Sequence, residues 1–185
     1  MSAPVCVRPV VEDDLLALTQ LDLSYPADRV LALERSDQAP EHTFALRWRH
    51  RGPGEAVYAE PTVDWLRAAH ARADVFLVAR IGGDAAGYLM IVVPTWTDAG
   101  EITDLAVHRP LRHRGVGRAL VDAGLEFARS RELRALWVEP RADNAEAIDF
   151  YLALGFRVAG FNDRMYSNGD DEDGRITLLM YRDLA

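Results

Sequence analysis

The chain has 185 residues, 49% hydrophobic and 27% charged, and a net charge of −8. That balance fits a globular domain with its own core, disfavours binding to a nucleic-acid backbone and favours the approach of cationic molecules. No apolar run is long enough to span a bilayer, Glu12 to Asp14 break any signal-peptide pattern, and a single cysteine, Cys6, excludes an internal disulfide, so a cytoplasmic location is expected.

Val5 to Arg8 reads as a first strand, with Cys6 packed in the core. Glu12 to Leu23 reads as a helix with Leu15, Leu18 and Leu21 on one stripe, ended by Ser24-Tyr25-Pro26. Val30 to Leu33 and Thr43 to Leu46 suit a hairpin, or else a short helix followed by a strand. Arg51 to Gly54 is a loop. Thr62 to Ala73 suits a helix that buries Trp65, Leu66 and Ala69. Val75 to Ile81 and Ala86 to Val93 flank Gly82-Gly83-Asp84, a hairpin signal. After the turn Pro94 to Gly100, Glu101 to Val107 reads as a strand and Arg118 to Arg131 as a helix.

Leu136 to Glu139 is a short buried strand. Asp143 and Glu146 have the spacing of a capping box, and the helix they open places Ile148, Tyr151 and Leu152 on one face. Gly155 suits the C-terminal cap. A strand from Phe156 to Phe161, an acidic loop from Gly169 to Gly174 and a last strand from Ile176 to Arg182 complete the chain. Strand–helix–strand order in the second half predicts an α/β class with a mixed sheet and a central parallel crossover.

The richest segment is Arg112-His113-Arg114-Gly115-Val116-Gly117, between a strand and a helix. A glycine turn there can aim several backbone N–H groups at one point, and the helix N-terminus adds its positive end, which together suit phosphate. The arginines supply charge and planar donors. The dinucleotide fingerprint fits poorly, because its third glycine and its acidic partner are missing. A P-loop is excluded, because Gly-Lys-Ser/Thr is absent. The five histidines show no paired metal-ligand spacing, so no metal is expected.

Arg-x-x-Gly-x-Gly after a strand, followed by Asn144-x-x-Ala-Ile-x-x-Tyr151-x-x-x-Gly-Phe156, resembles the GNAT acetyltransferase superfamily. The likeness covers roughly Glu101 to Phe161. It implies a single GNAT domain over residues 1–185, in which the strand before the glycine turn and the strand after the following helix splay apart to admit acetyl-CoA. Backbone groups from His113 through Arg114, Gly115, Val116 and Gly117 to Arg118, with Arg112 ahead of them, would then hold the pyrophosphate. Leu105, Ala106 and Val107 would serve the pantetheine arm, and Asn144 would flank it. Tyr151 would protonate the departing thiolate, where its alternative is a core aromatic. Glu139 ranks first and Glu101 second as the base that takes the amine proton. Asp104 is a third carboxylate, which strict alternation puts on the face opposite Glu101.

The C-terminal block, with Asp163 and Tyr166, resembles the end of streptothricin acetyltransferases. It implies an acceptor pocket formed by Asp163, Tyr166 and Asp104 for an amine on a cationic small molecule. The alternatives are a ribosomal-protein N-terminal acetyltransferase acting on a peptide N-terminus, and a non-catalytic acyl-CoA sensor. The resemblance admits a homodimer without implying an interface.

Overall fold

The computed structural model describes residues 3–36, 40–57, 60–166 and 176–184. In chain order its first half carries β1 (Val5–Pro9), α1 (Leu15–Leu18), β2 (Ser24–Pro26), β3 (Arg29–Ser36), β4 (Thr43–His50), β5 (Glu55–Val57) and α2 (Val63–His70). Then come β6 (Val75–Ile81), β7 (Asp84–Val92), β8 (Ala99–Val107), α3 (Val116–Ser130), β9 (Ala135–Val138), α4 (Ala145–Ala153), β10 (Arg157–Asn162) and β11 (Thr177–Asp183). Contacts group these residues into two compact units. One takes the residues up to Ser24, Val57–Trp137 and those from Arg182; the other takes Tyr25–Ala56 and Val138–Tyr181.

The first unit is built on the strand order β1-β6-β7-β8-β9. β1, β6, β7 and β8 pair antiparallel in turn. β9 lies beside β8 and is reached through α3, the crossover that a parallel pair requires, so the mostly antiparallel sheet contains one such pair. On α3, Val116, Leu120, Val121, Leu125 and Ala128 are buried at helical spacing and give it one apolar face toward the sheet. Val10, Leu15, Leu18, Leu66, Phe76, Val78, Tyr88, Met90 and Ala106 form a further core, which joins α1 and α2 to the strands.

The second unit contains the β3–β4 hairpin, paired from Arg29↔His50 to Ser36↔Thr43, and the β10–β11 pair, which has a bulge between Val158 and Gly160. The hairpin reading is thereby chosen over the helix–strand alternative. α4 packs with β3 in this unit.

Four expectations are corrected. The helix over Glu12 to Leu23 is a 3-10 turn, Glu12–Asp14, and a single α-turn, Leu15–Leu18. Tertiary partners take over beyond it: the Asp22 N–H donates to His108 Nδ1 at 2.9 Å, and the Asp22 carbonyl accepts from the Arg109 N–H at 2.9 Å. Ser24-Tyr25-Pro26 is a strand, and Tyr25 is buried. Cys6 is exposed, because β1 pairs on one side only and Cys6 points away from the core. Trp65 is 40% exposed, whereas Leu66 and Ala69 carry the buried face of α2. The acidic stretch Gly169 to Gly174 lies outside the described residues.

Candidate active site

β8 leads through a 3-10 turn, Arg109–Leu111, into the glycine loop. Arg112 is extended, and His113 (φ 60) and Gly115 (φ 84, ψ 0) both take left-handed backbone. Alternation of this kind turns successive N–H groups toward a common side. Gly115 is the N-cap of α3 and provides no side-chain cap, and its carbonyl accepts from the Ala119 N–H at 2.9 Å. The N–H groups of Val116, Gly117 and Arg118 thus occupy the first turn, where a helix offers them no carbonyl.

That turn contains no acidic residue. Helices usually place Asp or Glu there to meet the dipole. Here His113, Arg114 and Arg118 are exposed, and their side chains make no hydrogen bond or ion pair among the described residues. Beyond the adjoining residues and the helix's own backbone, no atom of the described residues lies within 4 Å of where a Gly115 Cβ would sit. The donors, the charge and the open space fit a phosphate-bearing group. Arg112 is partly committed, since its Nε donates to the Val107 carbonyl at 3.3 Å and ties the loop back to β8.

β8 holds Glu101, Asp104, Leu105, Ala106 and Val107. Its pairing with β7 jumps from Met90↔Asp104 to Ile91↔Ile102, so Thr103 is the extra residue of a β-bulge. Met90 and Val92 stand two residues apart and share a face of β7, so their partners Asp104 and Glu101 share that face as well. This corrects the alternation argument that set the two carboxylates on opposite faces. Ala106, opposite Tyr88, belongs to the core that includes α1 and α2, and Asp104 is buried next to it.

In the second unit, Glu139 follows the end of β9 and precedes Pro140, which confines it to extended backbone. It is partly buried and makes no hydrogen bond or ion pair among the described residues. Burial pushes its carboxyl pKa upward. A carboxylate raised in this way is a better proton acceptor than an exposed one. Asn144 caps α4, its side-chain oxygen accepting from the Ala147 N–H at 3.1 Å. The expected capping box is corrected accordingly: Asp143 is buried and bonded elsewhere. Tyr151 is 4% exposed on α4, and its ring meets Phe150 and Phe156 edge-on at 5.4 and 5.2 Å.

Asp163 forms an ion pair with Arg35 of β3. Tyr166 is exposed, and the Arg141 guanidinium lies 6.0 Å from its ring centroid. The residues that sequence reasoning missed are Tyr25 and Arg141 around Asp143. The Tyr25 hydroxyl donates to Asp143 Oδ1 at 3.2 Å across 118 residues of chain, a pairing that no local pattern announces. Among the described residues, no group of three or more His, Cys, Asp or Glu is placed to hold a metal ion. No described helix is long and apolar enough to cross a membrane.

A family model, described as the acetyltransferase (GNAT) family, matches residues 33–156. Streptothricin acetyltransferase of Streptomyces lavendulae is 32% identical over 105 residues, 57% of this chain and 55% of that protein. The ribosomal protein bS18-alanine N-acetyltransferase of Escherichia coli (strain K12) is 31% identical over 83 residues, 45% of this chain and 56% of that protein. The matches therefore span little more than half the length of these relatives. The crystal structure of nourseothricin acetyltransferase aligns with a TM-score of 0.80 and 28% identity over 98% of this chain and 99% of that one. A Bacillus anthracis structure solved in complex with acetyl coenzyme A shares the fold, with a TM-score of 0.77 at 18% identity over 97% of this chain and 99% of that one. The glycine loop, the capped α4 with its buried tyrosine and a family match across 33–156 agree: the chain belongs to the acetyltransferase (GNAT) family.

Proposed function

We propose that the protein is an acetyl-CoA-dependent N-acetyltransferase whose acceptor is a primary amine on a cationic small molecule of the streptothricin type. The observation that carries the cofactor half is the start of α3. There, left-handed Gly115 opens a first turn with no acidic residue, beside exposed Arg114 and Arg118. Backbone N–H groups from His113 to Arg118 would hold the pyrophosphate. Leu105 to Val107 on β8 and Asn144 at the head of α4 would receive the pantetheine arm.

Bound acetyl-CoA supplies the thioester. Glu139 takes a proton from the acceptor ammonium, directly or through water, which frees the nitrogen lone pair. That nitrogen forms the new C–N bond as the C–S bond breaks. Tyr151 donates its hydroxyl proton to the departing sulfur. Glu101 and Asp104, which the bulge at Thr103 brings to one face of β8, would serve the acceptor, Glu101 as the alternative base. The reaction needs no metal.

The acceptor choice rests on likeness to streptothricin and nourseothricin acetyltransferases and on the net charge of −8. Asp163 is ion-paired with Arg35, so a cationic acceptor would share its carboxylate with Arg35 or displace it. A peptide N-terminus ranks second, since the ribosomal-protein relative matches less of the chain, 45% against 57%. Mass spectrometry of streptothricin incubated with enzyme and acetyl-CoA tests the reading. A single acetyl added to its β-lysine amine is expected; unmodified streptothricin with an acetylated alanine-starting peptide would transfer the reading to the second acceptor.

A further inference from the structure

Asp143 is an unusual neighbour for an active-site loop. Its carboxylate is buried, at 4% exposure, and an ionised group there is costly unless it is paired. It is paired on every side the structure shows. Arg141 donates to Oδ1 from Nε at 2.9 Å and to Oδ2 from Nη2 at 2.5 Å, and the Tyr25 hydroxyl donates to Oδ1. Burial, with the Asp143 charge next, pushes the Tyr25 pKa up to about 12, so its hydroxyl stays a donor throughout the working range.

The backbone around this carboxylate is tied in the same way. Leu178 N–H donates to the Pro140 carbonyl, Ala142 N–H to the Ile176 carbonyl, and Leu31 N–H to the Ala142 carbonyl, at 2.8 to 3.0 Å. Arg141 bridges Thr177. Glu139, one residue upstream of this strap, is partly buried, and its side chain makes no hydrogen bond or ion pair among the described residues. No polar partner among the described residues fixes its orientation, so the adjoining backbone helps to set its place. A buried ion pair is weak evidence of stability; its best-attested use is to fix geometry.

From this arrangement we infer that Asp143, held by Arg141 and Tyr25, is a positioning residue for Glu139: it locks the loop that presents the base. The inference rests on the proposed role of Glu139. Loosening the lock lets Glu139 drift and hydrate, and a displacement of about 1 Å in a reacting group can cost on the order of a hundredfold in rate.

The test compares kcat of the whole chain as wild type, Asp143→Asn, Glu139→Gln and the double variant, each checked for folding by near-UV circular dichroism. Asp143→Asn should lower kcat about ten- to a hundredfold and shift its acid limb to lower pH, as Glu139 gains water. In the Glu139→Gln background the same change should cost less than about twofold, because the group it positions is gone. Tyr25→Phe, which removes one hydrogen bond and little volume, should show the same dependence on Glu139 at smaller size, and it serves if Asp143→Asn does not fold. Losses that multiply independently of Glu139, with an unmoved acid limb, would overturn the inference while leaving Glu139 as base. Wild-type turnover by Glu139→Gln would instead overturn the base assignment and the inference with it. An inactive wild type would refute the proposed function itself.

Discussion

Gly115 separates backbone strain from charge at the phosphate loop. Its φ of 84° is left-handed, and beyond the adjoining residues and the helix's own backbone no described atom lies within 4 Å of an added Cβ. Gly115→Ala should therefore meet no clash and cost only the left-handed strain, about 1–2 kcal/mol. In a chain of this size that is a fall in Tm of roughly 2–8 °C. Gly115→Glu carries the same strain and adds a carboxylate where the pyrophosphate is proposed to lie. Two like charges 4 Å apart repel by about 1 kcal/mol in bulk water and about 4 kcal/mol near a protein surface. That converts to roughly fivefold to nearly a thousandfold in Kd beyond the alanine variant. Thermal melts measure the first quantity and calorimetric titration with acetyl-CoA the second. The two variants should melt together and bind apart, with the gap narrowing at high salt. Equal affinity of the Ala and Glu variants would refute a phosphate site at this turn.

Tyr151→Phe removes only a buried hydroxyl, so kcat should fall about 10²-fold or more while acetyl-CoA affinity by titration stays close to wild type. Burial raises the Glu139 carboxyl above its ordinary 4.5, and a base must be ionised, so kcat/KM should climb with pH along a limb centred above 4.5 that Glu139→Gln abolishes. The same shift makes the folded state hold this proton more tightly than the unfolded chain. Its stabilising contribution is present below pH 4.5 and lost as pH rises through the folded value, so denaturant melts of Glu139→Gln should lack that loss. At Gly87 a Cβ would stand 2.4 Å from the Ala106 carbonyl oxygen, and Gly87→Ala should force β7 and β8 apart at a cost of about 1–3 kcal/mol, read as a fall in Tm.

Local features of the chain were legible because local physics makes them. The glycine loop and α3 and the β6–β7 turn each follow from short-range pattern and turn chemistry, whereas the β3–β4 hairpin was one of two readings that the pattern allowed. Where tertiary partners compete, the pattern misleads. The helical stripe of Leu15, Leu18 and Leu21 continues past Leu18, but the backbone of Asp22 is taken by His108 and Arg109. Asp143 has the spacing of a cap, yet burial beside Tyr25 and Arg141 leaves the capping to Asn144. The bulge at Thr103 is one residue of register, which no alternation of side chains records, and it reverses the relation of Glu101 to Asp104. The expectations for Glu139, Asn144 and Tyr151 came from the family resemblance; the bonds that tie residues 140–143, next to Glu139, were not legible, because their partners include residues of β2, β3 and β11.

Acetyl transfer to an amine is tested most directly by following CoA-thiol release from acetyl-CoA with streptothricin, a simple diamine, a polyamine and an alanine-starting ribosomal peptide supplied in turn. Acceptor-dependent release is expected, fastest with streptothricin and matched mole for mole by N-acetylated product. Tight acetyl-CoA binding with no thiol release above background for any of the four would contradict it and favour an acyl-CoA sensor.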